Sequence, residues 1–215
     1  MKNSEYQTLV ILNSSFEILH SKFIGSQPVC ATLRPQMPSR AIDIRLIVSD
    51  VDGVWTDGKI IYAGETREVK EFNVRDGLGA KLAQRVGVAV ALLTSRGSPA
   101  LERRARELGI TELHQGSADK LVACEQLVKK LMLRMDQVLY VGDDLPDLAP
   151  MLRAGISAAP SDAATEIFDA AYWKLQSRGG HGAFREMVER LLRERGDWNS
   201  ILEEFKSGKS EAQKT

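Results

Sequence analysis

Residues 45–54 read Arg-Leu-Ile-Val-Ser-Asp-Val-Asp-Gly-Val, a short apolar run that ends on two aspartates, Asp50 and Asp52. Leu, Ile and Val in unbroken succession suit a strand covered on both faces, as in the middle of a parallel sheet. The pattern returns twice: residues 88–93 (VAVALL) run into Thr94, and residues 138–141 (VLYV) run into Gly142-Asp143-Asp144. Residues 79–86, 100–108 and 121–132 place apolar side chains three and four apart, with Lys, Arg and Glu elsewhere, which is helical spacing. Gly87 and Gly109 stand where C-terminal caps belong. Strand and helix alternating through short links form right-handed βαβ units. The expected fold class is therefore α/β, a doubly wound, mainly parallel, Rossmann-like sheet.

Residues 54–74 break the alternation. Asp57-Gly58 and Ala63-Gly64 are turn signals, and the segments between them are rich in Ile, Tyr, Thr and Val. A β-hairpin inserted just after the first strand is expected there. Residues 1–40 carry scattered apolar residues and three prolines, Pro28, Pro35 and Pro38, without a sustained period. They read as a weakly structured or disordered extension. The main domain is expected over 41–195, and 196–215 as a C-terminal tail.

Composition narrows the partners. The chain has 215 residues, long enough for one domain with a full core, and Lys plus Arg equal Asp plus Glu at 29 each. That balance points away from nucleic acid and from anionic membranes. Cys30 and Cys124 form no CxxC pair, so structural zinc is not expected and a reducing cytoplasm suits the chain. No apolar run approaches the roughly 18 residues of a membrane span. The LVIL run at 9–12 is too short and too quickly ended by Asn13-Ser14-Ser15 to read as a signal peptide.

In an open α/β sheet, ligands sit beyond the carboxyl ends of the strands. Those ends carry Asp50 and Asp52, then Thr94, then Asp143 and Asp144, with Lys120 opening the helix before the last of these strands. A lone Asp or Thr there is commonly a cap, and a lone Lys a solvated helix residue. Several carboxylates at one sheet edge repel one another unless a cation lies among them, and an all-oxygen set favours Mg²⁺. Thr94, Lys120 and backbone N–H groups complement an anion. Metal, acid pair and anion cradle together describe a phosphoryl-transfer site. His114 and His181 have no nitrogen or sulfur partners nearby in sequence to make a zinc site, and His20 lies in the extension.

The order Asp50-Val51-Asp52-Gly53-Val54, Thr94, Lys120, Gly142-Asp143-Asp144 resembles the four motifs of haloacid dehalogenase superfamily phosphatases, over about residues 45–190. The resemblance implies that Asp50 is the nucleophile, forming an aspartyl-phosphate, and a metal ligand. It implies that Asp52 is the acid and base, its carbonyl also on Mg²⁺. Asp143 would be the acidic metal ligand, Asp144 and Asp147 would support the metal shell, and Thr94 and Lys120 would hold the phosphoryl group. Only about twenty residues separate Gly53 from Val74, so no cap domain is expected.

The stretches VWTDGKIIY, EVKEFNVRDGLG (68–79), HQGSADK (114–120), VGDDLPDL (141–148) and RGGHGAFRE (178–186) resemble the 3-deoxy-D-manno-octulosonate 8-phosphate phosphatases. That likeness implies a cytoplasmic homotetramer built through the hairpins. Its substrate would be an acidic sugar phosphate on the way to lipopolysaccharide, with Arg75, Asp76, Gly77, Arg96 and His181 as candidate substrate contacts. Two departures stand out: Ser95 replaces the Gly of a Thr-Gly-Arg segment, and His181 replaces an Arg. A nine-carbon, sialate-type phosphate is the alternative substrate; Trp55 leans toward it and Arg96 against it. A non-catalytic oligomerisation domain is the alternative from another class, against which Asp50, Asp52, Lys120 and Asp143 speak. A phospho-receiver domain fits poorly, because here an acidic pair follows Thr and Lys.

Overall fold

The computed structural model describes residues 40–64 and 68–208. The expected extension, apart from Arg40, lies outside the described residues. Four apolar runs form fully or almost fully buried strands: β1 (Leu46–Ser49), β4 (Ala89–Leu93), β6 (Val138–Val141) and β7 (Ile156–Ala159). With β5 (Glu112–His114) and β8 (Trp173–Lys174) they make a six-stranded sheet in the order β5-β4-β1-β6-β7-β8, parallel at every pairing. Ser49 is level with Leu92 on one side and Val141 on the other. The residues that follow β1, β4 and β6 therefore emerge side by side.

Side chains alternate across the sheet with period two, so each strand feeds two cores. Ile47, Leu92, Leu139 and Val141 face one side. They are covered by α1 (Val74–Arg85), α2 (Pro99–Leu108), α6 (Ala183–Arg195) and α7 (Trp198–Lys206). Leu46, Val48, Leu93 and Tyr140 face the other, under α3 (Lys120–Lys130), α4 (Leu148–Arg153) and α5 (Thr165–Ala170). Local chemistry sets the helix starts. Asn73 Oδ1 accepts the Arg75 N–H, so α1 begins five residues before the expected start at 79. Asp119 caps α3 through the Val122 N–H, and Pro99 opens α2, which ends on left-handed Gly109.

The hairpin exists but is shorter than the expected span. Ile61–Tyr62 (β2) pairs antiparallel with Glu68–Val69 (β3). Residues 54–56 instead finish a turn that begins at 51: Val51, Val54 and Trp55 go into the core, and Trp55 packs on Phe184 with ring centroids 4.3 Å apart. The expected tail also differs. Its first part is α7, whose Trp198 and Ile201 are buried against the α1–α6 side of the sheet, so apolar burial holds the chain past residue 195. Among the described residues no cap domain covers the sheet edge, and no helix is long and apolar enough to cross a membrane.

Candidate active site

Beyond the carboxyl ends of β1, β4 and β6 lies a cavity of about 320 Å³ whose lining includes Asp50, Asp52, Thr94, Ser95, Arg96 and Lys120, together with Asp143, Asp144 and Asp147. Asp50 continues β1, its N–H donating to Val141 O at 2.9 Å. The chain leaves the strand at once, and a turn brings Asp52 back to the same cavity. Gly53 makes that turn at φ +94, a region L side chains avoid. The turn is clamped from behind by the glycines of the 178–182 segment. A Cβ on Gly179 would lie 1.9 Å from Gly53 O, and the Gly180 N–H donates to Val54 O at 2.9 Å.

Lys120 is buried, and its Nζ reaches Asp50 Oδ1 at 2.9 Å and Asp147 Oδ1 at 2.8 Å. Asp147, fully buried, also accepts from Tyr140 Oη at 2.7 Å. Burial works against the Lys120 ammonium, but Asp50 and Asp147 more than offset it and hold it charged. An ammonium has three donors; with two spent on carboxylates, one is left for an incoming anion. Thr94 is buried too. Its Oγ1 accepts the Arg96 N–H at 3.2 Å, which leaves its own O–H to donate into the cavity.

The carboxylates are crowded. Burial, then Asp147, pushes Asp50 up to about 6. Burial, then Asp50, pushes Asp143 up to about 8. Oxygens of Asp50, Asp143 and Asp147 lie within 4.8 Å of one another. An all-oxygen, closely spaced and mutually repelling donor set fits a small hard cation such as Mg²⁺. Asp144 is exposed at the cavity rim and caps the next turn, its Oδ1 accepting the Leu145 N–H at 2.8 Å.

Other expected contacts lie elsewhere in the chain. Asp76 is fully buried and accepts the Arg185 N–H at 2.8 Å, joining α1 to the start of α6; burial raises it to about 6. Gly77 faces α2, where a Cβ would lie 2.2 Å from Arg104. Arg75 and His181 line a separate groove along α6, with His181 Nδ1 2.8 Å from Gly179 O. Of the five expected substrate contacts only Arg96 lines the acidic cavity. Ser95 is accommodated: its hydroxyl donates to Ser117 O at 2.9 Å. Trp55 is wholly buried, its Nε1 donating to Ser49 Oγ at 3.0 Å, so it does not face a substrate.

Sequence reasoning missed Lys70 and Tyr140. Lys70 pairs with Asp52 and, at 3.3 Å, with Glu68, which in turn takes Arg96 at 2.6 Å. The signal for Tyr140 was present, since a hydroxyl inside an apolar run needs a buried partner. Lys70 lies within the 68–79 stretch that carries the family resemblance, but nothing in the sequence singled it out from the alternating charges around it.

The profile of haloacid dehalogenase-like hydrolases matches residues 83–187. The 3-deoxy-D-manno-octulosonate 8-phosphate phosphatase of Yersinia pestis is 43% identical over 153 residues, 71% of this chain and 82% of that protein. The enzyme of the same name from Salmonella typhimurium is 40% identical over 82% of this chain and 94% of its own length. Among solved structures, the Moraxella catarrhalis enzyme in complex with magnesium ion, phosphate ion and a KDO molecule superposes with TM-score 0.76. It is 37% identical, with 77% of this chain and 95% of that chain covered. The cobalt-bound Haemophilus influenzae enzyme superposes with TM-score 0.73 at 38% identity, covering 75% and 95%. Identity and coverage of this order place the chain in the 3-deoxy-D-manno-octulosonate 8-phosphate phosphatase family of haloacid dehalogenase-like hydrolases.

Proposed function

We propose that this chain is a magnesium-dependent phosphatase that removes the terminal phosphate of 3-deoxy-D-manno-octulosonate 8-phosphate. The observation that carries the reading is the convergence of Asp50, Asp52, Thr94, Lys120 and Asp143 on one cavity. Asp50 is the nucleophile. Its carboxylate, aimed by Lys120, forms a bond to phosphorus while the bond from phosphorus to the sugar oxygen breaks. The departing oxygen takes its proton from Asp52. Asp52, now a carboxylate, then accepts a proton from water as the water oxygen attacks phosphorus, and the bond to Asp50 breaks to release phosphate. Thr94 Oγ1 and the third donor of Lys120 hold the phosphoryl oxygens throughout. Asp50, Asp143 and Asp147, with the Asp52 carbonyl, would hold Mg²⁺, which when bound offsets phosphoryl charge and orients the attacking carboxylate.

The eight-carbon acid is favoured because related enzymes of 40% identity and above carry that name, and Trp55, the likeness to the nine-carbon enzymes, is buried in the core and touches no substrate. The test is phosphate release from 3-deoxy-D-manno-octulosonate 8-phosphate beside a nine-carbon sialate-type phosphate, with Mg²⁺ and with EDTA. A preference in kcat/KM of about tenfold, roughly 1.4 kcal/mol of transition-state binding, is expected for the eight-carbon substrate. A preference for the nine-carbon substrate would reverse the assignment, and no metal-dependent turnover of either by well-folded protein would overturn it, leaving a different phosphorylated substrate or a non-catalytic domain.

A homotetramer assembled through the hairpins belongs to the same reading. Ile60, Ile61, Tyr62 and Val69 are all exposed on the hairpin, Tyr62 at 71%, and a cluster of this kind suits a protein contact. Arg75 and His181 would then act on substrate only where a neighbour presents their groove. Light scattering should give four times the 23.8 kDa chain mass, falling on Tyr62→Glu. A cytoplasmic setting in lipopolysaccharide precursor synthesis accords with the substrate and with the free, buried thiol of Cys124.

A further inference from the structure

The hairpin carries a cation into the active site. The Lys70 side chain is only 4% exposed and ion-pairs with Asp52 Oδ1, and at 3.3 Å with Glu68 Oε1. Glu68 Oε2 accepts from Arg96 at 2.6 Å. The chain Asp52–Lys70–Glu68–Arg96 therefore ties the turn after β1, strand β3 and the loop after β4 into one charged relay. Thr56 Oγ1 also reaches Asp52 Oδ1, at 3.4 Å. Among the described residues, both bonds to this carboxylate fall on Oδ1, which leaves Oδ2 to meet the leaving-group oxygen.

A buried ammonium has no reason to point at a carboxylate on another element unless the pair is maintained, because burying Lys alone is costly. Asp52 is partly exposed on a turn, where an untethered carboxylate would sample several rotamers. Proton transfer needs one of them, with the oxygen within hydrogen-bond reach of the departing atom. We propose that Lys70 is a positioning residue for Asp52: by holding Oδ1 it aims Oδ2 at the leaving oxygen, so that the hairpin is part of the catalytic apparatus as well as a surface for assembly. The inference rests on the reading of Asp52 as acid and base.

The experiment compares kcat/KM for an alkyl phosphate, the sugar acid 8-phosphate, with that for 4-nitrophenyl phosphate, whose leaving group departs without a proton. Because kcat/KM runs only through the first irreversible step, it isolates proton donation from hydrolysis of the phosphoenzyme. Lys70→Met should lower the alkyl-to-aryl ratio by about tenfold or more, in the direction set by Asp52→Asn, as loss of positioned acid catalysis does. Lys70→Arg should recover part of the ratio, since its planar fork keeps the charge but not the point-like placement. Where Lys70→Met does not fold, Lys70→Gln, which keeps a donor of similar reach, carries the same test in the same direction. If Asp52→Asn shifts the ratio while the Lys70 variants lower both substrates equally, or neither, the positioning role is overturned and the acid assignment stands. If Asp52→Asn itself leaves the ratio unchanged, the acid assignment fails and the inference falls with it.

Discussion

Gly53 lies so close to Asp143 that a Cβ at position 53 would come 1.9 Å from Asp143 Oδ2. The glycine that turns the chain after Asp50 thus also makes room for the opposing acid. Its φ of +94 independently disfavours any side chain. Gly53→Ala should cost about 1–2 kcal/mol of backbone strain. It should also push Asp143 aside, so that Mg²⁺ dependence moves to higher metal concentration and kcat falls by about a hundredfold. Metal titrations of activity beside thermal melts check both; unchanged metal dependence would mean that Asp143 relaxes without consequence.

Tyr140 reaches Asp147 from inside the apolar face of the sheet, and burial followed by Asp147 pushes its phenol well above the usual range, so it remains a donor. Tyr140→Phe removes a hydrogen bond to a buried carboxylate and should destabilise the fold by about 1.5–3 kcal/mol. Since Asp147 also holds Lys120, kcat should fall with it. Denaturant melts and steady-state kinetics on the same variant measure the two effects.

Metal-free protein should become less stable as pH rises. Asp50 and Asp143 are raised from 3.8 to about 6 and about 8, so between these values the folded state binds protons that the unfolded chain has released. Stability is then full below pH 4 as far as these groups are concerned, and is lost as pH rises through 6 and 8. Mg²⁺ compensates the charge that burial penalises. The gain in Tm on adding Mg²⁺ to EDTA-treated protein should therefore be larger at pH 8 than at pH 5.5. An equal gain at both values would contradict the shared metal site.

Asp76 belongs to the packing of α1 against α6, with Oδ1 on the Arg185 N–H and Oδ2 buried without a hydrogen-bond partner. Asp76→Asn keeps the acceptor and removes a charge whose folded-state pKa is raised by burial to about 6. Above pH 6 the variant should match or exceed the parent in Tm and keep kcat/KM within about threefold. A large loss of kcat/KM with stability intact would return Asp76 to the substrate.

How much was legible follows the physics of each residue. Asp50, Thr94 and Asp143 could be read because a continuous apolar run has one end, and parallel strands set those ends side by side. Lys120 could be read because it opens a helix with a visible Asp cap. Lys70 could not: its partner lies eighteen positions away across a turn that only tertiary packing defines. Trp55 misled for a related reason. Beside a catalytic motif it leaned toward the nine-carbon enzymes as a likeness of sequence, yet its ring fills the core and its N–H finds Ser49, so it makes no substrate contact that could choose between the acids. The segment around Asp76 resembles a substrate motif, but in one chain it caps and packs. α7 was legible and was passed over: Trp198, Ile201, Leu202 and Phe205 stand at helical spacing, and Trp198 and Ile201 are the two that the core buries.

Covalent catalysis by Asp50 is tested most directly by a rapid acid quench with ³²P-labelled substrate followed by peptide mapping. Label should appear on the peptide containing Asp50, formed only with Mg²⁺ and absent from Asp50→Asn, which should also lose turnover. Phosphate release by Asp50→Asn at the parent rate, or label on a different residue, would contradict it.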